Sequence, residues 1–273
     1  MDWPIAGGGV YISAGEVLAS SEGTTLDPGG IANTKGAWVN LVASAPFDAA
    51  GFILTVHADS LGPGIGSYLF DIGVGSGPTI IVPNMLIGGT GDFSAVAFIP
   101  IPVPAGGAIQ GRAQSTNTAA DGNLIVQAIL VRENFMMPQP FGAMIDYGAA
   151  LADSGGTQVD PGTPANTKAA WSQIVAATVR DHYALMIALG GQALGKAAAN
   201  YLFDIGIGPA GAETVIIGNI NAVTSAADDS PNPPWRGPFY VSVPSGSRLA
   251  VRAQSSDATS SRREIDVVLY GFS

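Results

Sequence analysis

The chain has 273 residues, 47% of them hydrophobic and only 12% charged, against about 25% charged in ordinary globular domains. The net charge of −10 and 11 scattered basic residues argue against a nucleic-acid partner, and the absence of cysteine excludes disulfide and thiolate chemistry. Mean hydropathy is positive. No run, however, approaches the roughly 18 to 20 apolar residues that a spanning helix needs. The excess apolar surface is therefore expected to be buried between subunits of a homo-oligomer, with no membrane span.

The chain opens on Met1-Asp2-Trp3-Pro4, which lacks a basic region followed by an apolar core. A secretory leader is not expected there, and synthesis and assembly in a cytoplasm are. Residues 1–8 read as an N-terminal segment. From there, 37 glycines and 19 prolines punctuate short runs rich in Val, Ile, Phe and Tyr, the pattern of many strands joined by turns. Strands are expected near residues 10–12, 37–43, 51–58, 68–74, 79–85, 95–101, 108–115 and 123–131. In the seventh, Ile109, Gly111 and Ala113 share one face. In the fourth, Tyr68, Phe70 and Ile72 do so and put Asp71 opposite.

That fourth strand occurs twice, as YLFDIGVG at residues 68–75 and YLFDIGIG at residues 201–208, with seven of eight letters identical. Carried outward at an offset of about 133, Asp27-Pro28-Gly29 falls on Asp160-Pro161-Gly162, Asn33-Thr34-Lys35 on Asn166-Thr167-Lys168, and Trp38 on Trp171. Later the offset drifts, and Arg112-Ala113-Gln114-Ser115 meets Arg252-Ala253-Gln254-Ser255 at about 140. The chain thus reads as two β-sandwiches, residues 9–131 and 142–273, joined by a packed linker over 132–141. About eight strands per unit and no amphipathic helix give an all-β, tandem duplicated, jelly-roll-like architecture. Strand order is not readable from the pattern.

Most candidate chemistry dissolves on inspection. Gly206, Gly208 and Gly211 spell G-x-G-x-x-G after a strand, but a dinucleotide fingerprint must open a helix, and residues 213–217 read as another strand. A tight turn is the better reading, and no cofactor is expected. His57 and His182 occupy non-equivalent positions without metal-ligand spacing, so no metal site is expected. No nucleophile elbow is present and no catalytic residue stands out, which makes a non-enzymatic protein the leading expectation. A glycan-active enzyme or carbohydrate-binding module stays open, because paired carboxylates need be close only in space.

Four charges recur between the copies: Asp27 with Asp160, Lys35 with Lys168, Asp71 with Asp204, and Arg112 with Arg252. Recurrence within one chain reports a shared structural need first. Asp71 and Asp204 lie in apolar strands and are expected to accept amides of the following Gly turn or to pair with an Arg. Trp38 and Trp171 are expected in the cores. The copies differ most after Asn219, where the second reads Asp228-Asp229-Ser230-Pro231-Asn232-Pro233-Pro234-Trp235-Arg236. Asp228, Asp229, Trp235 and Arg236 are the candidate ligand or partner contacts, with Trp235 read equally as a stacking platform at a free end or as a cover over an edge of its own sandwich. The apolar 95–103 region and the 3–5 segment of the first copy are expected on the assembly side.

The YLFDIGxG strand with its Gly-rich turn resembles virion surface proteins of tailed bacteriophages and gene transfer agents, including head-spike and fibre-like components. The second copy, with Gly211 and Glu213, is nearer that pattern than the first, where Ser76-Gly77-Pro78 shortens the turn. The resemblance implies a virion location, other virion proteins as partners and contact with host-surface polysaccharide. It supplies no catalytic residue. A capsid cement protein without host ligand is the alternative within the same class.

Overall fold

The computed structural model describes residues 11–14, 23–58, 66–89, 94–118, 122–132, 141–191, 198–225, 231–258 and 264–273. The first part of the chain forms β1 (Tyr11–Ala14), β2 (Thr24–Leu26), β3 (Val39–Val42), β4 (Ala49–Ala58), β5 (Gly66–Val74), β6 (Thr79–Gly89), β7 (Ser94–Ile99), β8 (Ile109–Ser115) and β9 (Leu124–Arg132). The second forms β10 (Met144–Tyr147), β11 (Thr157–Val159), β12 (Ser172–Val175), β13 (His182–Gly191), β14 (Ala199–Ile207), β15 (Thr214–Thr224), β16 (Trp235–Val243), β17 (Leu249–Ser255) and β18 (Ile265–Phe272).

Each set folds into two antiparallel sheets in the same order. In the first, β1-β9-β4-β7, with β2 also on β9, faces β3-β8-β5-β6. In the second, β10-β18-β13-β16, with β11 also on β18, faces β12-β17-β14-β15. This is the jelly-roll order, and the two repeats share it strand for strand. The repeated stretch forms β5 and β14, each the third strand of its sheet. The short strands β2 and β11 escape a reading by pattern, because three residues carry too little alternation. They continue the first strand of each sandwich along β9 and β18.

Alternation places the cores. In β4, Phe52, Leu54 and Val56 point inward, and in β14 Tyr201, Phe203 and Ile205 do, all buried. The ends of the expected linker are packed: the Arg132 guanidinium lies 4.7 Å from the Phe47 ring centre, and Phe141 is buried with its N–H donated to Pro100 O. Residues 133–140, like residues 1–8, lie outside the described residues.

Candidate functional site at the edge of the second sandwich

The recurring charges build one device twice. Asp71 on β5 accepts from Lys35 Nζ at 2.9 Å, from Arg112 Nε at 2.8 Å and from the Asn84 N–H at 2.9 Å. Asp204 on β14 accepts from Lys168 at 2.7 Å, Arg252 at 2.9 Å and the Asn219 N–H at 2.9 Å. Asn84 and Asn219 adopt φ of 44° and 56°, a left-handed conformation that Asn tolerates. The pairing with an arginine matches expectation. The amide comes from the irregularity in β6 or β15, however, not from the Gly turn, and the lysine belongs to the network as well as to its turn. Burial would raise the Asp204 carboxyl, but Lys168, the Asn219 N–H and Arg252 outweigh it and hold the pKa below the ordinary range.

Trp38 and Trp171 are not core residues. Each is half-buried, with a guanidinium, Arg112 or Arg252, 4.5 Å above its ring. The six-membered ring of each indole lies close to a glycine of the neighbouring strand, Gly73 or Gly206. A Cβ built at Gly73 would come within 3.1 Å of Trp38, and one at Gly206 within 2.6 Å of Trp171, which explains a glycine at each position. Arg112 and Arg252 therefore join the carboxylate to the indole.

The two sandwiches meet where the outer face of the β10-β18-β13-β16 sheet covers β6. An edge strand leaves a row of backbone groups unpaired, and side chains of the second sandwich occupy that row. Tyr270 donates its hydroxyl to Asn84 O and accepts the Leu86 N–H, both at 2.8 Å. Trp235 donates its indole N–H to Leu86 O at 2.7 Å and lies 6.0 Å from the Phe70 ring. Ala184, Met186, Ala188, Val268 and Phe272 bury in one cluster with the core of the first sandwich. Beside them, Ser67 donates to Gly191 O at 3.1 Å. Gln114 donates to Leu151 O at 2.8 Å and to Ser154 Oγ at 3.1 Å, and Ser154 donates to Asn33 Oδ1 at 2.8 Å.

Trp235 does cover a strand edge, but that of the other sandwich. It is buried in the joint, not displayed at a free end, because its proline-rich approach leads into β16 against the other sandwich. Arg236 is placed near a surface cleft, donating to Asn221 O at 3.1 Å and Asn221 Oδ1 at 3.3 Å. Asp228, Asp229 and the 3–5 segment lie outside the described residues. In the 95–103 region, Ala95, Ala97, Ile99, Ile101 and Val103 serve the core, and of the apolar side chains there Val96 stands out as 64% exposed.

The cleft runs along β14 and β15 and holds about 600 Å³, lined by Asn166, Asn200, Leu202, Asn221, Gln254 and Arg236 among others. A bridge in which Val223 and Asn232 exchange N–H···O bonds at 3.1 and 2.8 Å fences one side. Among the described residues its lining carries amides and an arginine and no carboxylate. Register makes the correspondence with the first sandwich exact in chain terms. Leu202 faces Asn221 and Gln254 on its neighbours, as Leu69 faces Leu86 and Gln114. Asn166 and Asn200 fall on Asn33 and Ser67 at an offset of about 133. The surface that forms the joint in the first repeat is therefore the open cleft of the second. Leu69 is fully buried and Leu202 only half-buried for that reason. Sequence reasoning missed this cleft because no single residue type marks it.

Other groups are structural. His182 is buried and shares a 2.7 Å hydrogen bond with the Tyr147 hydroxyl, which also accepts the Val179 N–H, while His57 is exposed at the end of β4. The G-x-G-x-x-G stretch turns through Gly208 and Gly211, at φ of 124° and 81°, into β15. Among the described residues no cluster of His, Asp or Glu is arranged to hold a metal ion, and no helix is long and apolar enough to cross a membrane.

No protein-family model and no curated protein matches the chain. Among solved structures it is similar to PNGF-II, at 8% identity and a TM-score of 0.36, covering 86% of this chain and 59% of that one. It is similar to a triple jelly-roll protein of an archaeal virus turret, at 8% and 0.28, covering 96% and 58%. It is also similar to the tandem CBM22 domains of Paenibacillus barcinonensis Xyn10C, at 11% and 0.24, covering 86% and 82%. The chain spans under two thirds of the first two proteins. These likenesses concern the all-β fold alone.

Proposed function

We propose that the protein is a non-enzymatic structural component of a virion, from a tailed phage or phage-like particle, built into a homo-oligomeric head spike, fibre or decoration. The observation that carries the reading is the joint. The core of the first jelly roll continues across it onto the outer face of a sheet of the second, and the exposed edge of β6 is closed by Tyr270 and Trp235. Such a rigid tandem suits a building block, since a tethered pair would swivel. The low charge density supports the same role. The recurring carboxylates support a non-enzymatic reading, because Asp71 and Asp204 are each already committed to two cations and a backbone amide.

Within this class, burial of Trp235 favours a cement or decoration role over host-glycan contact, because the candidate stacking platform is taken up by the joint. Electron microscopy of purified particles with antibody against this chain tests the proposal. Regularly spaced label on the particle surface is the expected result. Protein found only in the soluble lysate, with unlabelled particles, overturns it.

A further inference from the structure

We infer that the open cleft of the second sandwich is the acceptor half of a head-to-tail joint, filled by the first sandwich of another copy of this chain. The inference rests on the proposed assembling role and assigns its contact surface. Five lining residues of the cleft, Asn166, Asn200, Leu202, Asn221 and Gln254, occupy the positions of Asn33, Ser67, Leu69, Leu86 and Gln114. In the first sandwich each of these positions is engaged by the second sandwich, through the bonds to Ser154, Gly191, Tyr270, Trp235 and Leu151 or through burial of Leu69. A duplicated chain that uses one acceptor internally retains a second.

The matching donor face is also present in the first sandwich. In the joint it is the outer face of the β10-β18-β13-β16 sheet, with Met186, Tyr270 and Trp235 buried. Register assigns their counterparts on the β1-β9-β4-β7 sheet. Ile53 pairs with Ile129 as Met186 does with Tyr270, and Thr55 pairs with Val96 as Ala188 does with Trp235. Val96 is 64% exposed, and Ile53 and Ile129 are half-buried. One pair in the contact changes on both sides together. A Cβ at Gly190 would lie 3.1 Å from the Leu86 side chain, and their counterparts are His57 and Asn221, both polar.

Such a contact joins unlike surfaces and is heterologous, so it generates rings where the rotation closes and filaments where it does not. The test uses the full chain with Leu202→Arg in the cleft or Val96→Arg on the donor face, and Ile80→Arg as an exposed apolar control. Circular dichroism and melting show that each variant is folded. Sedimentation is expected to show self-association of the wild type and of the control, and association weakened about a hundredfold in each of the other two. Mixing the cleft and face variants restores one good contact and gives dimers that go no further.

A wild type that assembles while Leu202→Arg and Val96→Arg assemble equally well overturns this inference and leaves the structural role intact. A wild type that stays monomeric and is absent from particles overturns both. Gln254→Arg in the same cleft repeats the test should Leu202→Arg not fold. Saturable binding of a soluble oligosaccharide, abolished by Leu202→Arg with assembly unchanged, also overturns the inference, because it makes the cleft a sugar site.

Discussion

Trp235 places its indole N–H 2.7 Å from Leu86 O, so an aromatic from one jelly roll satisfies the backbone edge of the other. Removing the ring empties a buried volume beside Phe70 and leaves the carbonyl without its donor. Trp235→Ala is expected to lower stability by about 3 to 5 kcal/mol. Trp235→Phe keeps much of the packing and is expected to cost about 1 to 3 kcal/mol for the orphaned carbonyl. Urea denaturation of both variants measures the difference, and equal small losses would place the indole outside the joint.

The carboxylate networks give a second prediction. Asp71→Ala leaves Lys35 and Arg112 facing a partly desolvated site without their counter-charge, and a loss of about 3 to 5 kcal/mol is expected. The pKa of Lys35 is already lowered, by burial first, against the opposing pull of Asp71. Lys35→Met in the Asp71→Ala background is expected to recover part of the loss, because it removes the stranded cation. A double-mutant cycle on melting temperature reads the coupling, which would be near zero if the network were idle.

Acid sensitivity follows from His182. Burial lowers its pKa first and Arg180 lowers it further, while Asp181 raises it. The unfolded chain protonates this imidazole near pH 6.5 and the folded chain only at lower pH. Its contribution to stability is therefore complete above about pH 6.5 and is lost as pH falls toward the folded value. Asp204 acts in the same direction at lower pH, since its folded pKa is depressed below 3.8. His182→Gln is expected to flatten the upper part of this decline in a series of melts between neutral and mildly acidic pH. An unchanged profile would assign the decline elsewhere.

Trp38 and Trp171 should matter less than core aromatics do. Each is half-buried beneath an arginine, and replacement of Trp171 by Ala is expected to cost about 1 to 2 kcal/mol from partial burial and the cation–π contact. A loss of the size expected for Trp235→Ala would show that the indole also braces Gly206.

The sequence carried the duplication, the strand class and the inward faces, because seven identical letters at β5 and β14 and plain alternation report directly on one sheet. The jelly-roll order was not legible, since it depends on which distant strands pair. The edge that Trp235 covers was not legible because proline and aspartate neighbours mark a loop locally, whereas its burial is decided by β6 some 150 residues earlier. Lys35 was read as turn chemistry for the same reason: its partner Asp71 is on another strand. The cleft was invisible because Asn166, Asn200 and Gln254 acquire meaning only beside the occupied positions of Asn33, Ser67 and Gln114.

The central claim, that one surface is closed in the first repeat and open in the second, is tested most directly by amide hydrogen exchange at Leu86 and Asn221 in the dilute chain. The Leu86 N–H donates to the Tyr270 hydroxyl in a buried joint, and Asn221 holds the same register position beside the cleft. The account predicts that Leu86 exchanges only with global unfolding, while Asn221 exchanges far faster and slows as concentration rises and copies associate. Exchange at Leu86 as fast as at Asn221 would contradict it.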